Sequence, residues 1–313
     1  MSRRRQARGG NGRGRVRAGT ATLRSAVGCL ALIGSLAVAG CTPTGDSARP
    51  TDPAALDGIT ASVGQGRVDV SSGRIFVLVA NGRDEPVTVE SVAVRTDGFE
   101  PGIGKSKPTR FPAGREIAIR LEPTEAVCEA PVAPITVELD VTTKAGTAHG
   151  VLEADDPYGA LQRLQDQACL AESVAAVAAV ELPDHLRSTG AGADRRAVID
   201  VRVRPVGGDG GFRLSGVRGT TLINAEGGFN WELDVDVAAT DAPSVIELPV
   251  RPGRCDAHAV AEDKIGTILP FEVATSDGRE GQLGLAANDT LRAELYAYYS
   301  ERCGLPGAPP PVE

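Results

Sequence analysis

The sequence predicts a mainly β protein made of two tandem β-sandwich modules, each ending in a short helix pinned by a disulfide. Three observations predict it. Apolar and polar residues alternate over most of the chain, as half-buried strands require. Only two segments carry helical spacing. The halves that end in those segments also match one another when aligned on their cysteines. Of the 313 residues, 42% are hydrophobic, with one Trp, four Tyr and six Phe, so Leu, Ile and Val supply the bulk of one large or two ordinary cores.

The amino terminus is set aside first. Eight arginines fall between Arg3 and Arg24 with no acidic residue among them, and an apolar run, "AVGCLALIGSLAVAG", follows from Ala26 to Gly40. That run is shorter than the roughly 20 residues of a membrane-spanning helix and reads as the core of an export signal over residues 1–40. Basic residues ahead of an export segment satisfy orientation by positive charge, which disfavours a nucleic-acid-binding arm. Val38-Ala39-Gly40-Cys41 resembles the lipobox of bacterial lipoproteins. The resemblance implies cleavage before Cys41, a diacylglycerol on its thiol, and an extracytoplasmic chain anchored to the outer face of the bacterial cell membrane. A plain secretory signal, with Cys41 incidental, would instead release a freely soluble product.

Cleavage there changes 33 Lys and Arg against 41 Asp and Glu into 25 against 41, a net charge near −16. Such a surface gives no support for binding nucleic acid, where neutralisation of phosphates by cations carries the affinity. Residues 41–56 are rich in Pro, Thr, Ser, Asp and Ala and read as a flexible tether, while residues 305–313 read as a proline-rich tail. "GDSA" at Gly45–Ala48 has no His/Asp framework around it and is not read as a nucleophile.

Between these ends the strands come in order. "RIFVLVAN", "REIAIRLEP" and "TVELDVTTKAG" in the first half answer "AVIDVRVR", "SVIELPVRP" and "LPFEVATSDG" in the second. Gly98-Phe99 has a counterpart in Gly228-Phe229. The longest alternating run, Phe229, Trp231, Leu233, Val235 and Val237, faces "FEPGIGKSKPTRF", whose Gly and Pro suit a strand poorly, so the copies diverge on that edge. The first helix is expected from an Asp156 N-cap and Pro157, with Leu161, Leu164 and Ala168 on one stripe and Cys169 at its end. The second starts at Asn288 or Asp289, stripes Leu291, Leu295, Tyr298 and Tyr299, and stops at Gly304. The repeat places one module over residues 57–171 and the other over 172–304. Its length and its many short strands resemble the immunoglobulin-like β-sandwich in architecture, with no diagnostic family motif.

Of six cysteines, Cys29 leaves with the signal and Cys41 is committed to lipid, which leaves three possible pairings of four. The repeat selects Cys128–Cys169 and Cys255–Cys303, since any other scheme would bridge the modules and break their equivalence. This pairing also decides "CDAH" at Cys255–His258, a possible metal motif with Glu262 and Asp263 behind it. Its counterpart is "CEAP" at Cys128–Pro131, without a histidine, and a disulfide-bonded sulfur is no zinc ligand. His258, Glu262 and Asp263 remain weak metal candidates.

Asp155-Asp156 fits a helix start better than a catalytic pair, and Glu232, Asp234 and Asp236 fit a solvated strand face better than a calcium site. Trp231, Tyr298 and Tyr299 are expected in cores rather than on a carbohydrate platform. No G-x-S-x-G, H-E-x-x-H, C-x-x-C, phosphate-binding or dinucleotide-binding pattern occurs. The sequence thus predicts a non-catalytic, lipid-anchored envelope protein without a cofactor. It would act on another envelope protein or a wall component, the alternative being a metal-binding protein or enzyme built around His258.

Overall fold

Alternation fixes the sheets. In the computed structural model, which describes residues 53–256, 258 and 265–305, the first module contains strands β1 (Ile59–Gly64), β2 (Ile75–Asn81), β3 (Val87–Arg95), β4 (Gly104–Lys105), β5 (Thr109–Phe111), β6 (Arg115–Leu121), β7 (Thr136–Thr143) and β8 (Gly146–Glu153). A one-turn helix, α1 (Arg67–Ser71), separates the first two strands, and α2 (Ala160–Ala175) follows the last. The second module contains β9 (Ala178–Glu181), β10 (Arg187–Thr189), β11 (Arg196–Pro205), β12 (Gly211–Val217), β13 (Ile223–Ala225), β14 (Trp231–Ala238), β15 (Ser244–Pro252), β16 (Ile268–Thr275), β17 (Glu280–Ala286) and the helix α3 (Asp289–Arg302). The fold is mainly β, of immunoglobulin-like sandwich architecture.

Each module is two antiparallel sheets with a core between them. In the first, β1-β2-β6 faces β4-β3-β7-β8, with β5 also pairing β3. In the second, β10-β11-β15-β13 faces β14-β12-β16-β17, with β9 also pairing β11. Segments matched in the sequence therefore occupy matching places: β2 and β11 pair with β6 and β15, and the matched β7 and β16 pair with β3 and β12, which the sequence repeat does not align. The inward residues Ile75, Val77, Val79, Val137, Leu139 and Val141 are all at most 1% exposed. Ile199, Val201, Val203, Leu248 and Val250 do the same work in the second module. At roughly 25 cal/mol per Å² of apolar surface removed from water, these facing rows are the main stabilising contribution.

The diverged edge is visible as a difference in strands. An unbroken eight-residue β14 lies beside β12, whereas β3 is flanked by the short pieces β4 and β5, interrupted over Ser106–Pro108. The paired glycines do not correspond: Phe99 is buried at 5% exposure, and Phe229 is 58% exposed. Phe229 lies ahead of β14, in a turn where Gly228 N donates to Ala225 O, so the strand begins only at Trp231.

The first long helix departs from expectation at both ends. It begins at Ala160 behind Gly159, which takes a left-handed φ of 60°. Asp156 still caps it from a distance, its two carboxylate oxygens accepting from Ala160 N and Leu161 N at 2.8 Å each. The helix also runs on through Cys169 to Ala175, so the expected 171/172 boundary falls inside it. The cause is packing: Leu161 belongs to the first core, whereas Leu170 and Val174 belong to the second. Ala168 is exposed, and Gln165 takes the buried position instead. One helix thus serves two cores. Gly281 in β17 allows this, because a Cβ there would stand 3.3 Å from Leu170 Cδ2. Helix α3 follows its sequence signals closely: Asn288 Oδ1 accepts from Leu291 N at 2.8 Å, and Gly304 takes φ 63° just past the end.

Candidate functional site

Both cysteine pairs are disulfides, Cys128–Cys169 and Cys255–Cys303, spanning 41 and 48 positions. Each helix carries a polar side chain one turn before its cysteine that clasps the loop holding the other sulfur. Gln165 Nε2 donates to Val127 O at 2.8 Å and Ala130 O at 2.7 Å, on either side of Cys128. Tyr299, four residues before Cys303, donates its hydroxyl to Arg254 O and accepts from Asp256 N at 3.2 Å, on either side of Cys255. These two residues went unrecognised in the sequence as a repeated clasp. Their shared offset of four from the helix cysteine is the signal that could have found them.

This clasp defines the "CDAH" segment. Cys255 is held by disulfide and Tyr299, His258 is exposed with its backbone N–H bonded to Asp256 Oδ1 at 2.8 Å, and Glu262 and Asp263 lie outside the described residues. Among the described residues no group of three or more His, Cys, Asp or Glu side chains is placed to hold a metal ion. Cys41, the signal segment 1–40 and Gly45–Ala48 also lie outside the described residues.

The remaining candidates resolve into structural roles. Asp156 is the helix cap described above. Asp234 and Asp236 both pair with Arg213, which makes a compensated strand face rather than a converging set of ligands. Trp231 is 6% exposed and its Nε1 donates to Pro249 O at 2.8 Å. Tyr298 is fully buried, donating to Val250 O at 2.6 Å, and burial pushes its hydroxyl pKa up.

The other histidines are paired with carboxylates. His149 Nδ1 lies 3.1 Å from Asp140 Oδ1, and His185 Nδ1 lies 2.9 Å from Glu294 Oε1, which ties the loop before β10 to α3. The hydrogen bond to Glu294 and that carboxylate's charge raise the His185 pKa above its ordinary 6.5. In return, hydrogen bonds from His185 and Leu186 N hold Glu294 below its ordinary 4.5. A raised histidine contributes stability that is complete below 6.5 and lost as pH rises through its folded value; a lowered glutamate loses its contribution as pH falls. The tie is therefore complete between 4.5 and 6.5. In an NMR titration His185 should show a midpoint above 6.5, and Glu294→Gln should bring it back toward that value; an unmoved midpoint would refute the pairing.

Two surface features remain. Where α2 passes between the modules, Ser173 Oγ donates to Asp277 Oδ2 at 2.7 Å and Arg279 Nη2 reaches Glu129 Oε1 at 3.3 Å, across a cleft of about 330 Å³. The second is a cleft of about 360 Å³ on the broken edge of the first module. Val89, Val92, Ile117 and Ile119 form its floor, and Arg74, Arg120, Lys105 and Lys107 stand around it. Arg120 Nε is committed to the buried Asp69 at 2.7 Å and Arg74 Nε lies 3.9 Å from Glu122 Oε1, whereas neither lysine ammonium has an ion-pair partner among the described residues. In the second module, the equivalent edge carries Glu232 and Glu247 beside Trp231 and Leu233. The basic edge is thus specific to one copy.

No family model matches the chain, and no curated protein matches it. Among solved structures, it is similar to the red sea bream transglutaminase at 11% identity and a TM-score of 0.22, over 74% of this chain and 31% of that one. It is similar to the YadV chaperone at 15% identity and a TM-score of 0.22, over 73% of this chain and all of that one. It is also similar to the Salmonella enterica SafA pilin complex with the SafB chaperone, at 14% identity and a TM-score of 0.20, over 73% of this chain and 94% of that one. The chain spans about a third of the length of the transglutaminase. The fold class stands on the sheets and registers themselves.

Proposed function

We propose that the protein is a lipid-anchored, non-catalytic component of the cell envelope that presents two joined immunoglobulin-like modules to another protein or to wall material. The observation that carries the interaction role is the open edge of the first module, an apolar floor beside the exposed Lys105 and Lys107 in a chain that is otherwise strongly acidic. Two disulfides support a compartment outside the reducing cytoplasm, where such bonds persist. No described helix is long and apolar enough to cross a membrane, and Val38-Ala39-Gly40-Cys41 supplies an attachment of another kind. A single acyl chain binds a membrane only marginally, whereas a diacylglycerol with an added fatty acid such as palmitate holds firmly.

Anchoring is tested by Cys41→Ala. The wild-type chain should fractionate with membranes and partition into detergent, and the variant should be released or retained unprocessed. A variant that still fractionates as mature lipidated protein would refute the assignment.

A further inference from the structure

The two modules finish their equivalent edges differently. In the second, β13 pairs with Val250, Arg251 and Pro252 of β15 and covers that end of the sheet edge. In the first, the corresponding pairing is reduced to the single bridge Phe99–Ala126, beyond the end of β6, so β6 is the last strand of its sheet, and the basic cleft opens between it and the interrupted β4 and β5.

The register says which groups face outward from β6. Gly82 N donates to Gly58 O, and Val63 N turns away from β2 to Asp155 O. In an antiparallel ladder, hydrogen-bonding direction alternates residue by residue. The even-numbered residues of β2 therefore bond to β1, and the odd ones, Ile75, Val77 and Val79, bond to Leu121, Ile119 and Ile117 of β6. Glu116, Ala118 and Arg120 then direct their backbone N–H and C=O groups away from the sheet, and none of these has a backbone partner among the described residues.

We propose that this cleft receives an extended acidic segment of a partner protein as an added strand on β6. The unpaired backbone of Glu116–Arg120 supplies the ladder, which is how strand addition gains its affinity. The half-buried Ile117 and Ile119 offer apolar contact to alternate side chains of the entering strand. Across the cleft, Lys105 and Lys107 can reach carboxylates with their flexible four-carbon stems. Lysines beside a free edge also deter indiscriminate pairing, and an acidic strand is the class that such an edge still admits. The inference rests on the interaction role proposed above, but its test reads the cleft alone, so its failure leaves the anchoring assignment intact.

The test is a fluorescence-anisotropy titration of the full chain, purified in detergent, with an end-blocked peptide Glu-Thr-Val-Thr-Val-Thr-Glu, whose valines and glutamates share one face when extended. The peptide is cut to match the seven residues of β6. The same peptide with lysine for glutamate is the control, and heparin serves as a polyanion that cannot form a strand. The Val/Glu peptide should bind and the Val/Lys peptide should not. Ala118→Pro removes one outward N–H while sparing the ladder to β2. It should weaken binding about tenfold, the effect of leaving one acceptor of the ladder unpaired. Lys105→Glu with Lys107→Glu should reverse the preference between the peptides. These lysines are exposed, so the pair decides the matter if Ala118→Pro disturbs folding. Absence of binding, unchanged binding by a folded Ala118→Pro chain, or competition by heparin equal to that of the peptide would each overturn the proposal.

Discussion

Leu170→Ala should destabilise both modules, although its side chain packs in only the second core. Truncating a buried leucine costs about 2–5 kcal/mol, through lost burial and the cavity left behind. Leu170 is 2% exposed and lies against Gly281, so its site has little room to collapse. The same helix carries Leu161, which is fully buried in the first core, and Cys169, which is bonded to Cys128. Loosening the second half of α2 therefore loosens a wall of the first module. In denaturant, the wild-type chain should unfold in one transition. Leu170→Ala should lower its midpoint without a separate first-module transition appearing at the wild-type position. A first module that melts independently and unchanged would show that α2 does not couple the cores.

The second large effect belongs to Cys255–Cys303. Replacing both cysteines by serine releases a loop of 48 positions, worth about 4 kcal/mol in the chain-entropy account. The loss should concentrate on the junction of the Cys255 loop with α3, where Tyr299 bridges Arg254 and Asp256. Hydrogen exchange should show α3 losing protection while β11, β12 and β16 keep theirs. Protection of α3 equal to wild type would mean that Tyr298 and Tyr299 hold the helix unaided. Both are fully buried, so the variant should still fold.

What could be read in the sequence follows from which signals are local. Strand alternation is local, so β2, β6, β7, β11, β15 and β16 were legible from their apolar rows. The N-cap and terminal glycine of α3 were legible for the same reason. The disulfide partners could be read because the repeat converts a combinatorial problem into a comparison of two copies. The continuation of α2 past Cys169 could not, because "LAESVA" gains its place from a core formed by strands that follow it in the chain. Ala168 and Gln165 exchanged their expected burial for a similar reason: the carbonyls that make burial of Gln165 favourable lie in a distant loop. The basic cleft was illegible as a site, since Lys105, Lys107, Ile117 and Ile119 become neighbours only across the sandwich. Its forerunner was visible, however, in the Gly- and Pro-rich stretch that could not match β14.

The central claim, an envelope protein that engages a partner through its first module, is tested most directly by photo-crosslinking in intact cells. A photoreactive residue at position 107 should give one discrete adduct, whose yield Ala118→Pro lowers. The same residue at position 213, on the outer face of β12, should give none. An absence of adduct at 107, or the same ladder of products from both positions, would contradict the account.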